Sequence, residues 1–395
     1  MGTLNNQPKM GIPIVVGIDA TNIGGGGGIT HLKEVLNSFD QEFFKDKIAS
    51  IVVFASKNTL NRLPELEVLQ KKTFKNLNGN LLKRVFFQIR HFDTHIKESG
   101  VDVLFSVTGD YIGNFAPVVA MSRNMLLYER KIWKDINSIK EIVRFWLNYK
   151  KQRRCFKNAS GVIFISNHAK TVICADLNLK EKNIVTIHHG LSLKFLKEPR
   201  AQKEISEYSF EKPFRMLYVS TVHVYKHQWN VVRAINVLRH KGLPVCLDLI
   251  GGVIFEPAGK RLKSTIQQVD PEGNFIQYHG HVDYDMIQNI YSMADGIVFA
   301  STCENMPNIL LESMASGLPI ACSSTLPMPE FLKNNGFYFD PHNVDSTVNA
   351  IECMLVNKSQ REKMIKENIE EAKKYSWNKT SKDTFLNLIE NYNHI

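Results

Sequence analysis

Short, continuous apolar runs recur along this chain of 395 residues, each followed by a stretch with helical spacing, and the alternation is played through twice. Ile14–Ile18, Ile51–Phe54, Val101–Phe105, Pro117–Ala120 and Val162–Ile165 form the first series; Arg215–Val219, Val245–Ile250, Phe275–Tyr278, Ile297–Phe299 and Pro319–Ala321 form the second. A strand with one wet face alternates apolar and polar side chains. Runs without that alternation belong in parallel sheets covered by helices on both faces. Between the series, Lys194–Lys212 is polar and charge-dense, lacks apolar periodicity, and reads as part of a connection. The expected fold class is therefore α/β, with two doubly wound domains in tandem and a helical tail over Ile351–Tyr392. The length suits two cores better than one.

The net charge of +10 is unevenly placed. Residues 1–195 hold 28 Lys+Arg against 16 Asp+Glu, whereas residues 196–395 hold 21 against 23. Such asymmetry points to a polyanionic partner: nucleic acid, anionic lipid or a phosphate-bearing acceptor. No recognised nucleic-acid motif accompanies the charge, so nucleic acid is not expected. No apolar stretch approaches the roughly 18–20 residues that span a bilayer, and Met1–Asn6 lacks the basic-then-apolar order of a signal peptide. The expectation is a cytoplasmic protein. Six scattered cysteines without a C-x-x-C pair suggest neither a disulfide framework nor a zinc site.

Function is concentrated in Ser301–Pro319, where Glu304 and Glu312 straddle the start of a helix. Pro307 suits a first turn, Gly317 a C-terminal cap, and Pro319 stops continuation, which predicts a helix over 307–316. Glu304 then lies in the entering loop, and Glu312 lies one turn beyond Asn308 on the same face. Both carboxylates can approach a ligand held at the helix N-terminus, which binds anions through free amides and its dipole. Glycines 24–28, between the first strand and the pattern Ile29, Leu32, Val35, Leu36, permit close backbone approach to a phosphate or sugar. Alone they would equally suit NAD, a nucleotide triphosphate or tight packing. No Walker sequence is present. Asp283-Tyr-Asp285 imitates a D-x-D metal motif, but Met286, Ile287, Ile290 and Tyr291 follow at helical spacing. That pattern predicts an N-cap at Asp283 and a dipole-favoured Asp285.

The E-x7-E run followed by Ala-Ser-Gly-Leu-Pro resembles the donor-sugar site of retaining glycosyltransferases of the GT-B fold, family 4, the glycosyl transferases group 1. From Phe214 to Trp377 the landmarks keep that family's order: Tyr218-Val-Ser220 with Lys226, Leu249–Gly252, Tyr278–Val282, the E-x7-E run and Pro329-Glu-Phe. The N-terminal half matches more loosely, through Gly24–Gly28 and Ile187–Gly190. The resemblance implies two Rossmann-like domains facing each other across a cleft: residues 1–198 on the acceptor side and 199–375 on the donor side, with helix 376–395 crossing back onto the first. It further implies that Glu304 binds hydroxyls of the transferred sugar and Glu312 those of the ribose. Lys226, Ser220 and the amides of Asn308, Ile309 and Leu310 would face the diphosphate, backbone near Val282 would hold the base, and Gly27 and Gly28 would lie over the diphosphate.

By the same resemblance the activity is a metal-independent, retaining transfer of a hexose-type sugar. No cofactor is implied beyond a UDP- or GDP-linked donor. A second cation that many relatives carry just before the lysine is missing, since Thr221 and Tyr225 occupy the candidate positions. The acceptor side also departs from the family's pattern, and Asp110, Arg123 and Asn124 are its candidates for acceptor binding or catalysis. A polyprenyl-diphosphate-linked glycan of bacterial O-antigen or capsule assembly is the expected acceptor, reached at the inner face of an anionic membrane. A sugar-nucleotide 2-epimerase or sugar phosphorylase of the same fold, an NAD-dependent oxidoreductase and a polyanion-binding module are the competing readings. Finally, Ile139, Ile142, Val143, Trp146 and Tyr149 recur at helical spacing within Ile139–Lys157, beside the cations Lys150, Lys151, Arg153 and Arg154. This is either a core helix with a solvated basic end or a segment resting on anionic lipid.

Overall fold

The computed structural model describes residues 11–24, 27–79, 81–136, 138–179 and 183–394; Met1–Asn6, Gly25 and Gly26 lie outside them. The chain divides into two compact units. Met1–Tyr128, Ser138–Gly190 and Ser376–Ile395 form the first, and Glu129–Asn137 with Leu191–Tyr375 form the second.

The first unit carries β1 (Ile14–Asp19), β2 (Ile48–Phe54), β3 (Leu69–Lys72), β4 (Val103–Ser106), β5 (Val118–Ser122), β6 (Gly161–Phe164) and β7 (Asn183–Thr186). All are parallel, in the order β3-β2-β1-β4-β5-β6-β7. The second carries β8 (Phe214–Val219), β9 (Val245–Ile250), β10 (Ile276–Gly280), β11 (Gly296–Phe299), β12 (Ile320–Ser323) and β13 (Phe337–Phe339), again parallel, in the order β10-β9-β8-β11-β12-β13. Every residue of β4, β5, β6, β11 and β12 is buried, which is why these strands read as unbroken apolar runs. Each sheet reverses its strand order once, at β1/β4 and at β8/β11. Connections from such neighbours leave in opposite directions and open a crevice at the strands' carboxyl ends, where open α/β sheets bind ligands.

Three expectations are corrected. The passage from first to second unit falls at Gly190/Leu191, not 198/199, and Lys194–Lys212 is a strap on the second unit. Lys197 N donates to Ala315 O (2.9 Å) and Arg200 N to Gly317 O (3.2 Å). Arg361, fully buried, donates from Nε to Gln202 Oε1 at 2.9 Å. The strap lacks apolar periodicity because backbone and guanidinium hydrogen bonds hold it. The strands β3, β7 and β13, which no apolar run announces, are sheet edges, where burial is partial or the strand very short.

Lastly, the helix Ile139–Asn158 forms as its spacing predicts but turns a different face inward. Phe145, Gln152, Cys155 and Phe156 are buried, while Ile139, Val143, Trp146 and Leu147 are exposed. The helix Trp377–Asn393 belongs to the first unit. Ser381 Oγ donates to Val35 O at 2.7 Å, and Phe385 packs edge-on against Phe39 with centroids 4.7 Å apart. Gly161 leaves room for it, since a Cβ there would lie 2.4 Å from Asn391 Oδ1.

Candidate active site

In the second unit, Lys226 ends a 3-10 turn, Val224–Lys226, that follows β8. Glu304 lies in the loop leaving β11. Since β8 and β11 are the neighbours across the reversal, their loops meet, and Lys226 Nζ forms an ion pair with Glu304 Oε1. The side chains are only 8% and 16% exposed, so each depends on the other for compensation. Tyr218 Oη donates to Lys226 O (2.7 Å) and Thr302 N to Tyr225 O (2.9 Å), which fix the turn against the loop. Ser220, at the end of β8, is buried, with its N–H donating to Ile250 O at 2.8 Å.

The helix expected over 307–316 spans Asn308–Ala315, with Pro307 at the N-cap position. Proline has no amide to cap, so this one-residue difference costs no hydrogen bond. The helix ladder begins with Leu311 N donating to Pro307 O (3.1 Å), while Asn308 N already donates to Met306 O (3.0 Å). Of the three expected amides, those of Ile309 and Leu310 precede the ladder and mark the positive end of the dipole. Gly317 ends the helix with φ +75°, and a Cβ there would sit 2.5 Å from Glu198 O. Only glycine suits both the left-handed backbone and the strap.

Glu312 is buried and accepts a hydrogen bond from Tyr284 Oη at 2.7 Å. Burial pushes its pKa up to about 7, against the opposing pull of Tyr284 and Lys194. Tyr284 was not among the sequence candidates, although it is the middle residue of Asp283-Tyr-Asp285. Asp283 does occupy the N-cap position of the helix Tyr284–Met293, after half-buried Val282, but its side chain makes no capping bond. Asp285 pairs with Lys194 at 2.9 Å, and Lys194 Nζ lies 4.0 Å from the Tyr284 ring centroid. The segment thus supplies the site with a phenol rather than two carboxylates. Among the described residues no three His, Cys, Asp or Glu side chains converge as a metal site.

The first unit places its candidates at the matching crevice. Asp110 accepts from Asn22 Nδ2 (2.7 Å), from Lys151 Nζ (2.8 Å) and from Thr108 Oγ1. Beside it lies a residue the sequence did not single out, Asp19 at the end of β1. Thr21 donates to its Oδ1 from N (3.1 Å) and Oγ1 (2.6 Å), while Oδ2 has no hydrogen-bond partner among the described residues. Burial, with the Asp110 charge second, raises the Asp19 pKa to about 6. Arg123, after β5, donates to Gly27 O, and a Cβ on Gly28 would lie 3.3 Å from its Nη1. Burial lowers the Arg123 pKa to about 10, which leaves it charged at neutral pH. Asn124 is spent locally, its Oδ1 accepting from Leu126 N at 3.1 Å.

Two parallel doubly wound sheets, each with one crevice, are arranged as in the GT-B fold. Sucrose-phosphate synthase of Thermosynechococcus elongatus superposes with a TM-score of 0.71 at 15% identity, over 94% of this chain and 98% of that one. The Anabaena protein HepE in complex with UDP and glucose superposes with a TM-score of 0.68 at 15% identity, over 95% and 99%. The family model of the glycosyl transferases group 1 matches residues 200–371. A similar curated protein is the O-antigen chain mannosyltransferase B of Escherichia coli, 24% identical over 234 residues, which are 58% of this chain and 60% of that protein. The chain thus spans about three fifths of that relative's length.

Proposed function

We propose that the chain is a retaining, metal-independent hexosyltransferase that uses a UDP- or GDP-linked sugar. Its proposed acceptor is a polyprenyl-diphosphate-linked glycan in O-antigen or capsule assembly, and its proposed location is the cytoplasm, at the inner face of the membrane. The observation that carries this reading is the ion pair between buried Lys226, in the turn after β8, and Glu304, in the loop that leads to the helix Asn308–Ala315. As the bond to the diphosphate breaks, charge grows on the leaving oxygen. A fixed ammonium and the amides of Ile309 and Leu310 would stabilise it without a metal. Glu304 would hold sugar hydroxyls, Glu312 and Tyr284 the ribose, and backbone at Val282 the base. Retention follows if the leaving phosphate accepts the proton of the incoming hydroxyl on the same face, so Glu304 need not be a nucleophile. On the acceptor side, Arg123 is the candidate for a phosphate, since it alone of the three carries positive charge, while Asp110 is a carboxylate paired with Lys151 and the Asn124 oxygen is held by Leu126 N.

A thermal-shift comparison of UDP, GDP, dTDP and NAD, then transfer assayed with EDTA and the product's anomeric configuration read by NMR, tests the reading. Stabilisation by UDP or GDP, transfer that survives EDTA and a retained configuration are expected. Stabilisation by NAD alone, a strict divalent-ion requirement or an inverted product would overturn it.

A further inference from the structure

The helix Ile139–Asn158 carries a stripe that its own unit leaves uncovered. Ile139, Val143, Trp146 and Leu147 follow one another at i, i+4, i+7 and i+8, on one face of a helix, and are 83%, 49%, 50% and 55% exposed. The helix is held by its other side, through Phe145, Gln152, Cys155 and Phe156. These four large side chains therefore add nothing to the core, and a contiguous apolar patch on a water-facing helix marks an interaction surface.

Charge on the same stripe decides which kind. Toward the C-terminus it continues through Lys150, Arg154 and Lys157, all exposed, and no Asp or Glu occurs from Ile142 to Asn158. Lys150 Nζ lies 5.3 Å from the Trp146 ring centroid, so the apolar and cationic parts are continuous. Lys151, grouped with these cations by sequence, is turned away to Asp110 and is not part of the surface. The helix Leu81–Arg90 adds an independent pair, Phe86 and Ile89, 55% and 61% exposed, with exposed Lys83 and Arg90 beside them. Apolar and aromatic residues next to exposed cations suit a helix lying in the headgroup layer of a bilayer, where tryptophan settles at the interface and Lys or Arg meets anionic lipid.

We propose that this stripe is the docking surface for an anionic bilayer, with Trp146 and its apolar neighbours entering the headgroup layer and Lys150, Arg154 and Lys157 facing lipid phosphates. It builds on the membrane-side location proposed above and says which residues make the contact. The full chain is sedimented with phosphatidylcholine vesicles prepared with and without phosphatidylglycerol. Wild type should bind the phosphatidylglycerol vesicles and be released by salt. A variant with Ile139→Ser, Val143→Ser and Trp146→Ser should bind at least about tenfold more weakly, with its melting temperature unchanged because the sites are exposed. Lys150→Gln, Arg154→Gln and Lys157→Gln together should remove the preference for phosphatidylglycerol. Absence of vesicle binding by wild type, or unchanged binding by both folded variants, overturns the proposal. So does a change of oligomeric state in the serine variant without loss of vesicle binding. The UDP and GDP thermal shifts, read on the same samples, report on the transferase reading separately: their absence beside intact vesicle binding would count against that reading alone.

Discussion

The crevice at β8/β11 and the crevice at β1/β4 occupy equivalent places in their sheets, yet their polar groups are arranged differently. In the second unit one loop and one short helix, residues 301–317, carry Glu304, the helix amides and Glu312, and Lys226 joins them from the neighbouring strand's loop. In the first unit the polar groups come from four separate segments, Asp19 to Asn22, Gln88, Thr108 to Asp110, and Lys151, and they largely satisfy one another. A helix N-terminus can organise an anion site from consecutive residues. Without one in that role, a crevice must be assembled from distant parts of the chain. The family match, confined to residues 200–371, follows the same division.

The largest expected effect breaks or upholds that contrast. Lys226→Ala and Glu304→Ala should each lower turnover by at least about two orders of magnitude, as removal of a transition-state charge contact does. Asp19→Asn and Asp110→Asn should cost less than about tenfold. Steady-state rates on all four proteins check this, and equal losses in both crevices would abolish the distinction.

A smaller effect sharpens it. Glu312 has its pKa raised from 4.5 to about 7, so the folded state holds a proton that the unfolded chain has lost. Stability should therefore fall as pH rises from about 4.5 to about 7 and level off above. Asp19, raised from 3.8 to about 6, contributes a slope of the same sign at lower pH. Urea titrations across pH should show Glu312→Gln removing the upper part of the slope and Asp19→Asn the lower. Saturating nucleotide should displace only the Glu312 contribution. The smallest effect compares two glycines: Gly317→Ala should destabilise by at least about 1 kcal/mol, because its backbone is left-handed and Glu198 O blocks a Cβ. Gly28→Ala, whose Cβ would meet the movable end of Arg123 at 3.3 Å and Ile23 at an ordinary contact distance of 3.5 Å, should stay within about 0.5 kcal/mol in the same unfolding assay.

What the sequence disclosed follows from where each signal resides. Strands buried on both faces, such as β5 and β11, leave an unbroken apolar record. Leu69–Lys72 and Asn183–Thr186 leave none, because a sheet edge is half wet. Lys226 and Glu304 were each singled out by their place in a strand-to-helix loop, but their ion pair was not legible, because the sequence does not say that β8 and β11 are neighbours. Tyr284 was hidden between two aspartates that drew attention to charge, and its hydrogen bond to Glu312 requires knowing which way the helix Tyr284–Met293 faces. Asp19 looked like an ordinary strand end. Helical spacing in Ile139–Asn158 was correct, but spacing alone does not say which of two apolar faces meets the core. There the buried face includes Gln152, and the exposed one includes Trp146.

The helix Trp377–Asn393 fills part of the first unit's core, with Phe385 and Leu388 buried and Ser381 bound to Val35 O. A ribosome delivers β1 to β7 first, then nearly all of the second unit, and only afterwards this helix. The amino-terminal sheet must therefore wait through the synthesis of its neighbour with a groove of apolar side chains uncovered, and the later-made unit is the one able to finish first. Domain by domain folding from the amino terminus, the usual order during translation, is inverted by the position of one helix.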